Sequence, residues 1–238
     1  SSCQFAMHYF FENQTSMHTF FQNVAECTKV NGYFIGTCYD GQSVFELLKK
    51  KNKNESFVIY KDDAKMAEII KQYDHSSFPE NEMSLGYAID VYQESINKVF
   101  REYLVNFHYL VRVMENYGFV LATPEEAKSF DLPNGSGLFS ELYASMNDEL
   151  SRNSRKKTAY GTAPDLSSEE KQISFLNRYF IFRKTHHVNA EKIGKIMAQK
   201  IEEEEEEEAK KEEVQEEKPK KTIIRRIKRK NVEKIEIK

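Results

Sequence analysis

The sequence predicts an α/β fold built on a parallel sheet, and three observations carry that prediction. A short apolar segment from Cys3 to Tyr9 suits a buried strand. From Ser16 to Cys27, Met17, Phe20, Phe21 and Val24 recur on one face at helical spacing. Asn31-Gly32 then signals a turn into the apolar run Tyr33 to Thr37. Strand, helix, turn and strand in this order make a βαβ unit, with parallel strands and a right-handed crossover.

The later elements follow in order. A second helix is expected from Ser43 to Lys51, after an Asp40-Gly41 turn, with a polar loop from Lys51 to Glu55. Alternating aromatic and β-branched residues between Tyr87 and Val105 read as a hairpin. It enters a helix from Leu104 to Tyr117, which Gly118 caps before a strand at Phe119 to Leu121. Thr123-Pro124-Glu125-Glu126 opens another helix, with proline at its first position. Ser136 to Leu150 reads as helix and Ser151 to Asp165 as a flexible polar loop. Ser167 starts a further helix, and Tyr179 to Phe182 is a late strand.

After Lys184 the character changes. Glu202 to Glu208 is an unbroken acidic run, and Arg225 to Lys230 is almost wholly basic. Such sequence cannot bury a core. The boundary is therefore placed near Val188, giving a domain over residues 1–188 and a charged tail over 189–238, helical or disordered. The basic run reads as a solvated segment or localisation signal rather than an RNA contact.

Charge excludes little: 35 Lys+Arg against 38 Asp+Glu give a net charge of −3 that hides opposite blocks. Cys3, Cys27 and Cys38 form no close pair and suit free thiols in a reducing compartment. His186-His187 is the only adjacent histidine pair, and sequence neighbours rarely ligate one metal together, so no metal is expected. No signal peptide is visible, and no apolar run approaches the ~20 residues that span a membrane.

Three motifs carry a family resemblance. Ser2-Cys3-Gln4-Phe5-Ala6-Met7-His8-Tyr9-Phe10-Phe11-Glu12 resembles an SCQFxxHYxFE segment. Asn31-Gly32-Tyr33-Phe34-Ile35-Gly36-Thr37 resembles GGYFIGT, and Arg101-Glu102-Tyr103-Leu104-Val105 resembles PEFLV or PEYLV. In this order, over about residues 1–184, they resemble the mRNA cap guanine-N7 methyltransferases. Gly36-Thr37-Cys38-Tyr39-Asp40-Gly41, without the proline that cellular enzymes carry near Tyr39, looks like the capping enzymes of large DNA viruses.

The resemblance implies a class I, Rossmann-like S-adenosylmethionine-dependent methyltransferase, with a mostly parallel sheet closed by an antiparallel pair. Cys3 to Tyr9 would be its fourth strand and Tyr33 to Thr37 its fifth. Phe119 to Leu121 and Tyr179 to Phe182 would be the closing pair. The implied reaction moves a methyl group from S-adenosylmethionine to N7 of the 5′ guanosine cap of mRNA. Implied partners are the capped mRNA 5′ end and either upstream capping-enzyme modules or a stimulatory subunit. The implied setting is intracellular: a nucleus, or a viral factory or virion.

Gln4 and Tyr9 match positions that contact the cofactor, and His8 and Glu102 match positions that read the cap guanine. N7 has a lone pair and loses no proton, so proximity and orientation suffice and no catalytic base is expected. The family's last cap-contacting tyrosine has no direct match. Asn177 falls at its position and Tyr179 lies two residues on, on the same face of a strand, so the role stays open between them. The family's glycine-rich cofactor loop has no counterpart after Ser1. The chain thus reads as a domain incomplete at its N-terminus, expected not to catalyse alone. The alternative is a non-catalytic, methyltransferase-like subunit that stabilises a capping enzyme. Retention of Gln4, His8, Tyr9 and Glu102 argues against it.

Overall fold

Two asparagines punctuate the first crossover. β1 (Ser2–Gln4) leads through a 3₁₀ turn at Met7–Phe11 into α1 (Gln14–Cys27), where the Asn13 side chain accepts from Ser16 N. Asn31, at φ 63°, reverses the chain toward β2 (Tyr33–Tyr39). The computed structural model describes residues 1–196 and 199, and in it β1 and β2 pair in parallel with Cys3 opposite Gly36. The βαβ expectation holds, but the first strand is shorter than Cys3 to Tyr9. Phe5 adopts φ 50°, a left-handed conformation costly for a bulky side chain, and this breaks the strand after Gln4. The turn that follows sinks Met7 and Phe11 fully into the core.

Asp40 then caps α2 (Gly41–Leu47) by accepting from Ser43 N. The chain next makes an antiparallel excursion through β3 (Ser56–Lys61), β4 (Ala64–Lys71), β5 (Ala88–Gln93) and β6 (Lys98–Tyr103), which pair in sequence order. The β5–β6 hairpin is the one expected between Tyr87 and Val105. The excursion closes on itself: Gly41 N donates to Val105 O at 3.1 Å. A Cβ on Gly41 would lie 2.4 Å from that oxygen, so only glycine permits the approach.

α3 (Phe107–Asn116) starts at the Asn106 cap and ends at Gly118, whose φ of 80° turns the chain into β7 (Phe119–Leu121). Thr123 and Glu126 form a reciprocal capping box on α4 (Pro124–Ala127). The stretch expected as helix from Ser136 instead begins as β8 (Ser136–Leu138) and becomes α5 (Phe139–Arg152) afterwards. β8 forms because a strand edge is open to it. The expected loop after Ser151 contains 3₁₀ segments at Ser154–Tyr160 and Ala163–Asp165. Ser167 caps α6 (Ser168–Ser174), which leads into β9 (Asn177–Lys184).

The first sheet runs β1-β2-β9-β7, with β8 also on β9, and β9 is antiparallel to all its neighbours. Parallel strands closed by an antiparallel pair are the layout implied by the resemblance. One core packs α1 and α3 on this sheet through Phe21, Phe34, Leu110 and Phe182. A second core, with Val44, Leu48, Ile69 and Leu104, joins α2 to the excursion sheet. Lys184, buried at the end of β9, donates to Ala25 O and Thr28 O at the C-terminal end of α1, where a cation complements the exposed carbonyls. A first unit spans Ser1–Gly194. The acidic and basic runs beyond Glu202 lie outside the described residues. Among the described residues no helix is long and apolar enough to cross a membrane.

Candidate functional site

A cleft of about 740 Å³ opens where the carboxyl ends of β1 and β2 face the excursion sheet. Open α/β sheets bind ligands at such strand ends. Its inner wall holds His8, Tyr9, Tyr39, Glu102 and Asn177. The strand break at Phe5 positions the first two. With Met7 and Phe11 anchored below, the 3₁₀ turn presents His8 and Tyr9 beside each other, their rings edge-on at 4.4 Å.

Glu102 arrives from β6, where side chains alternate between faces. Its neighbour Arg101 lies on the opposite face and pairs there with Asp90 through two hydrogen bonds. That guanidinium is therefore spent elsewhere. Glu102 is 8% exposed and His8 3% exposed. His8 Nε2 lies 3.5 Å from Glu102 Oε2, yet neither ring nitrogen of His8 nor that Oε2 has a hydrogen-bond partner. The approach is within ion-pair distance but lacks hydrogen-bond geometry, so we read it as proximity rather than an ion pair.

The electrostatics agree. Burial pushes the Glu102 carboxyl up to about 7 and the His8 imidazole down to about 4, so His8 is neutral at physiological pH. The Tyr39 phenol is raised by burial and then by Glu102, and its oxygen accepts from Gln93 Nε2 at 3.2 Å. Burial first, and Glu102 second, also raise Tyr9. Buried polar atoms without partners are costly, and here three of them converge on one cleft. They describe a place for a ligand that brings hydrogen-bond partners to the His8 imidazole and the Glu102 carboxyl.

A compensation follows for stability. Glu102 keeps its proton up to about pH 7 in the folded state against 4.5 otherwise, so it makes stability fall as pH rises through that window. His8 stays neutral down to about pH 4 against 6.5, so it makes stability fall as pH drops from 6.5. Between about pH 4.5 and 6.5 the two slopes cancel. Urea denaturation of His8→Asn should then show stability falling with rising pH, by up to about 1.4 kcal/mol per unit, and Glu102→Gln the reverse tilt. Parallel pH profiles for both variants and the wild type would refute the neutral pair.

The expected site residues do not all converge. His8, Tyr9, Glu102 and Asn177 line the cleft. Tyr9 sits in the 3₁₀ turn rather than at a strand end, since β1 stops at Gln4. Gln4 is exposed and crosses to β2, accepting from Thr37 Oγ1 at 2.8 Å, and does not line the cleft. Of the two candidates on β9, Asn177 borders the cleft and donates to Ile173 O and Ser174 O, both at 3.0 Å. Tyr179 packs instead against Gly137. Sequence reading missed Tyr39, Phe5 and Phe139. Tyr39 could have been found by applying the strand-end rule to β2 as well as to β1.

Next to the cleft residues Tyr39 and Asn177 lies a partly buried junction. Arg178 Nε donates to Asp40 Oδ1 at 2.8 Å, and its Nη1 donates to Ser136 Oγ at 3.2 Å. The guanidinium also stacks over the Phe107 ring at 4.5 Å. Asp40 Oδ2 accepts from Ser43 N and Oγ at 3.0 and 2.7 Å, while Asp40 N donates to Leu176 O. The pair sits one residue from Tyr39 and one from Asn177. Among the described residues no group of three or more His, Cys, Asp or Glu is disposed to hold a metal ion.

Comparison with known proteins matches residues 1–185 to the mRNA (guanine-N(7))-methyltransferase domain family. A probable mRNA-capping enzyme of Acanthamoeba polyphaga mimivirus is 29% identical over 213 residues, which are 82% of this chain and 18% of that protein. An mRNA cap guanine-N(7) methyltransferase of Drosophila melanogaster is 42% identical over 48 residues, 20% of this chain and 11% of its own length. The chain thus spans less than a fifth of either relative. Among solved structures, the CcbJ methyltransferase from Streptomyces caelestis aligns with a TM-score of 0.40 at 10% identity, over 78% of this chain and 56% of that one. An S-adenosylmethionine-dependent methyltransferase from Clostridium acetobutylicum aligns with a TM-score of 0.32 at 12% identity, over 50% and 46%.

Proposed function

Because the chain belongs to the mRNA (guanine-N(7))-methyltransferase domain family, we propose that it forms the guanine-reading part of a site that methylates N7 of the 5′ guanosine cap of mRNA. The observation that carries this reading is the unpartnered Glu102 oxygen, buried beside a neutral His8. Guanine offers N1–H and N2–H₂ as adjacent donors, which one carboxylate accepts together. Its O6 accepts from an imidazole N–H. Adenine puts an acceptor where guanine has N1–H, so the same groups reject it by roughly 1–3 kcal/mol. Tyr9 and Asn177 border the base.

S-adenosylmethionine, when bound, supplies the electrophilic methyl group. Tyr9, 42% exposed, offers a phenol near the carboxyl end of β1, and Gln4 would join it in holding a polar ligand by exchanging its present bonds to Thr37 and Ser2. N7 uses its own lone pair and loses no proton, so the chain's side chains position the base and accept none. As the methyl group adds, positive charge spreads over the guanine ring. An ionised Glu102 against that ring stabilises the charge where it develops.

The partners in this reading are the capped 5′ end of an mRNA and either upstream capping-enzyme modules or a stimulatory subunit. The charged tail placed at residues 189–238 is read as an extension of the methyltransferase domain, although the first unit runs to Gly194 and Ala190 packs in its core. Free Cys3, Cys27 and Cys38 support a reducing, intracellular setting, a nucleus or a viral factory.

The test is methyl transfer from labelled S-adenosylmethionine to GpppN-ended RNA. It is measured for this chain and for any longer polypeptide encoded with it, with ApppN-ended RNA as control. Label should appear at guanine N7 only. A folded protein that binds neither guanine nucleotide nor capped RNA, and transfers no label in any form, would end this reading.

A further inference from the structure

The cleft continues beyond the residues that would read the guanine. Glu102, Phe100 and Lys98 alternate along β6 and all line it, facing Ile89, Val91 and Gln93 of β5 in register. At about 3.3 Å per residue, Lys98 lies on the order of 13 Å from Glu102 along the strand. The far end differs in character from the inner end. Phe100 is 39% exposed and Ile96, in the hairpin turn, 52% exposed, and both border the cavity beside Met66. Solvent-facing apolar side chains in a concave surface call for an occupant. Lysines stand at the same end: Lys61 is held by Glu170 at 2.9 Å, while Lys98 has no acidic partner among the described residues.

On the proposed guanine-reading role of Glu102, we infer that this far end is a second subsite, which stacks the base of the nucleotide joined to the cap guanosine through phosphates. Three features favour that occupant. The subsite is continuous with the inner end, so one molecule can fill both. An exposed aromatic ring offers a stacking platform that any base can use. An uncompensated ammonium, Lys98, stands at the far end beside that ring, within reach of a phosphate joined to the stacked nucleotide. The ligand class is a nucleotide 5′-linked by phosphate to guanosine, that is, the first residue of an RNA chain. The subsite selects a capped chain over a free guanine nucleotide without reading sequence, because stacking is tolerant of base identity.

Isothermal titration of the 238-residue chain with GTP and with GpppA tests this directly. GpppA should bind about tenfold more tightly than GTP, although it carries less negative charge, because only GpppA brings a second base. In Phe100→Ala the ratio of the two affinities should fall to about one, and in Phe100→Trp it should hold or rise. Thermal melting of each variant reports whether it is folded. An unchanged ratio in a folded Phe100→Ala sinks the subsite. So does an equal loss for both ligands, which would make Phe100 a wall of the guanine pocket. Equal wild-type affinities for GTP and GpppA sink the subsite while leaving guanine reading intact. Failure of the wild type to bind either ligand overturns both.

Discussion

On the proposed reading, Glu102→Ala should lower guanine-nucleotide affinity and methyl transfer together, by a factor on the order of 10² to 10³. The size follows from the loss of a buried acceptor that, in this reading, meets two donors at once; its removal would leave guanine's N1–H and N2–H₂ desolvated and unpaired. Glu102→Gln keeps the shape but offers an amide N–H where an acceptor is needed, and should lose nearly as much. Stability moves the other way. The wild-type carboxyl is buried without a hydrogen bond to Oε2, so its removal should leave the melting temperature unchanged or higher. Proton linkage gives a further signature. Donors to the carboxylate favour its ionised form, so wild-type affinity should rise with pH until Glu102 is ionised, at about pH 7. Below that point each pH unit should cost about tenfold in affinity, and Glu102→Gln should show no such dependence. Titration with GTP and ATP between pH 6 and 8 measures both effects. A Glu102→Ala protein that still prefers GTP to ATP would remove this residue from base recognition.

The second large effect belongs to the Asp40–Arg178 junction. Arg178→Met leaves Asp40 buried with its Oδ1 stripped of a cationic partner, and should cost about 3–5 kcal/mol in chemical denaturation. Asp40→Asn/Arg178→Met, which removes both charges, should recover much of that loss. The recovery separates a charge effect from simple damage to packing. Additive losses in the double variant would mean that the two side chains act independently. Guanine affinity should weaken in Arg178→Met because Tyr39 and Asn177 lose their common anchor. The double variant should restore stability more fully than affinity.

Local pattern revealed the elements whose signals are local. The βαβ unit, the Tyr87 to Val105 hairpin, the Gly118 cap and the Thr123 capping box follow from spacing and turn chemistry, and all appear where they were expected. β3 and β4 escaped for a definable reason. Their connection uses Asp62 and Asp63, both at positive φ (50° and 63°), where a hairpin is usually announced by Asn-Gly or Asp-Gly. The sequence of β4, Ala64-Lys65-Met66-Ala67-Glu68-Ile69-Ile70-Lys71, is also rich in helix formers, and sheet pairing on both sides overrides that preference. The break after Gln4 was hidden because nothing in the residue type of Phe5 announces a left-handed backbone. The site itself was legible only through motif resemblance. Composition and period say nothing of the fold bringing His8 within 3.5 Å of Glu102, since tertiary packing alone creates that proximity.

The contact between Gly41 and Val105 has an architectural consequence. The backbone leaves β2 just before Gly41 and returns to the same point at Val105, ahead of α3, with only 3.1 Å between the donor nitrogen and acceptor oxygen at that neck. Everything between forms its own four-stranded sheet, and the apolar cluster packed on it also takes in Tyr39 and Leu176 from the rest of the domain. Closing such a loop costs little extra as its length changes. The neck is therefore a natural seam at which one cassette can be exchanged for another. Glu102, Phe100 and Lys98 all travel with the cassette, whereas Gln4, His8 and Tyr9 stay with the frame. An exchange at this neck would replace the β6 residues of the cleft and leave β1, β2 and the turn that carries His8 and Tyr9 in place.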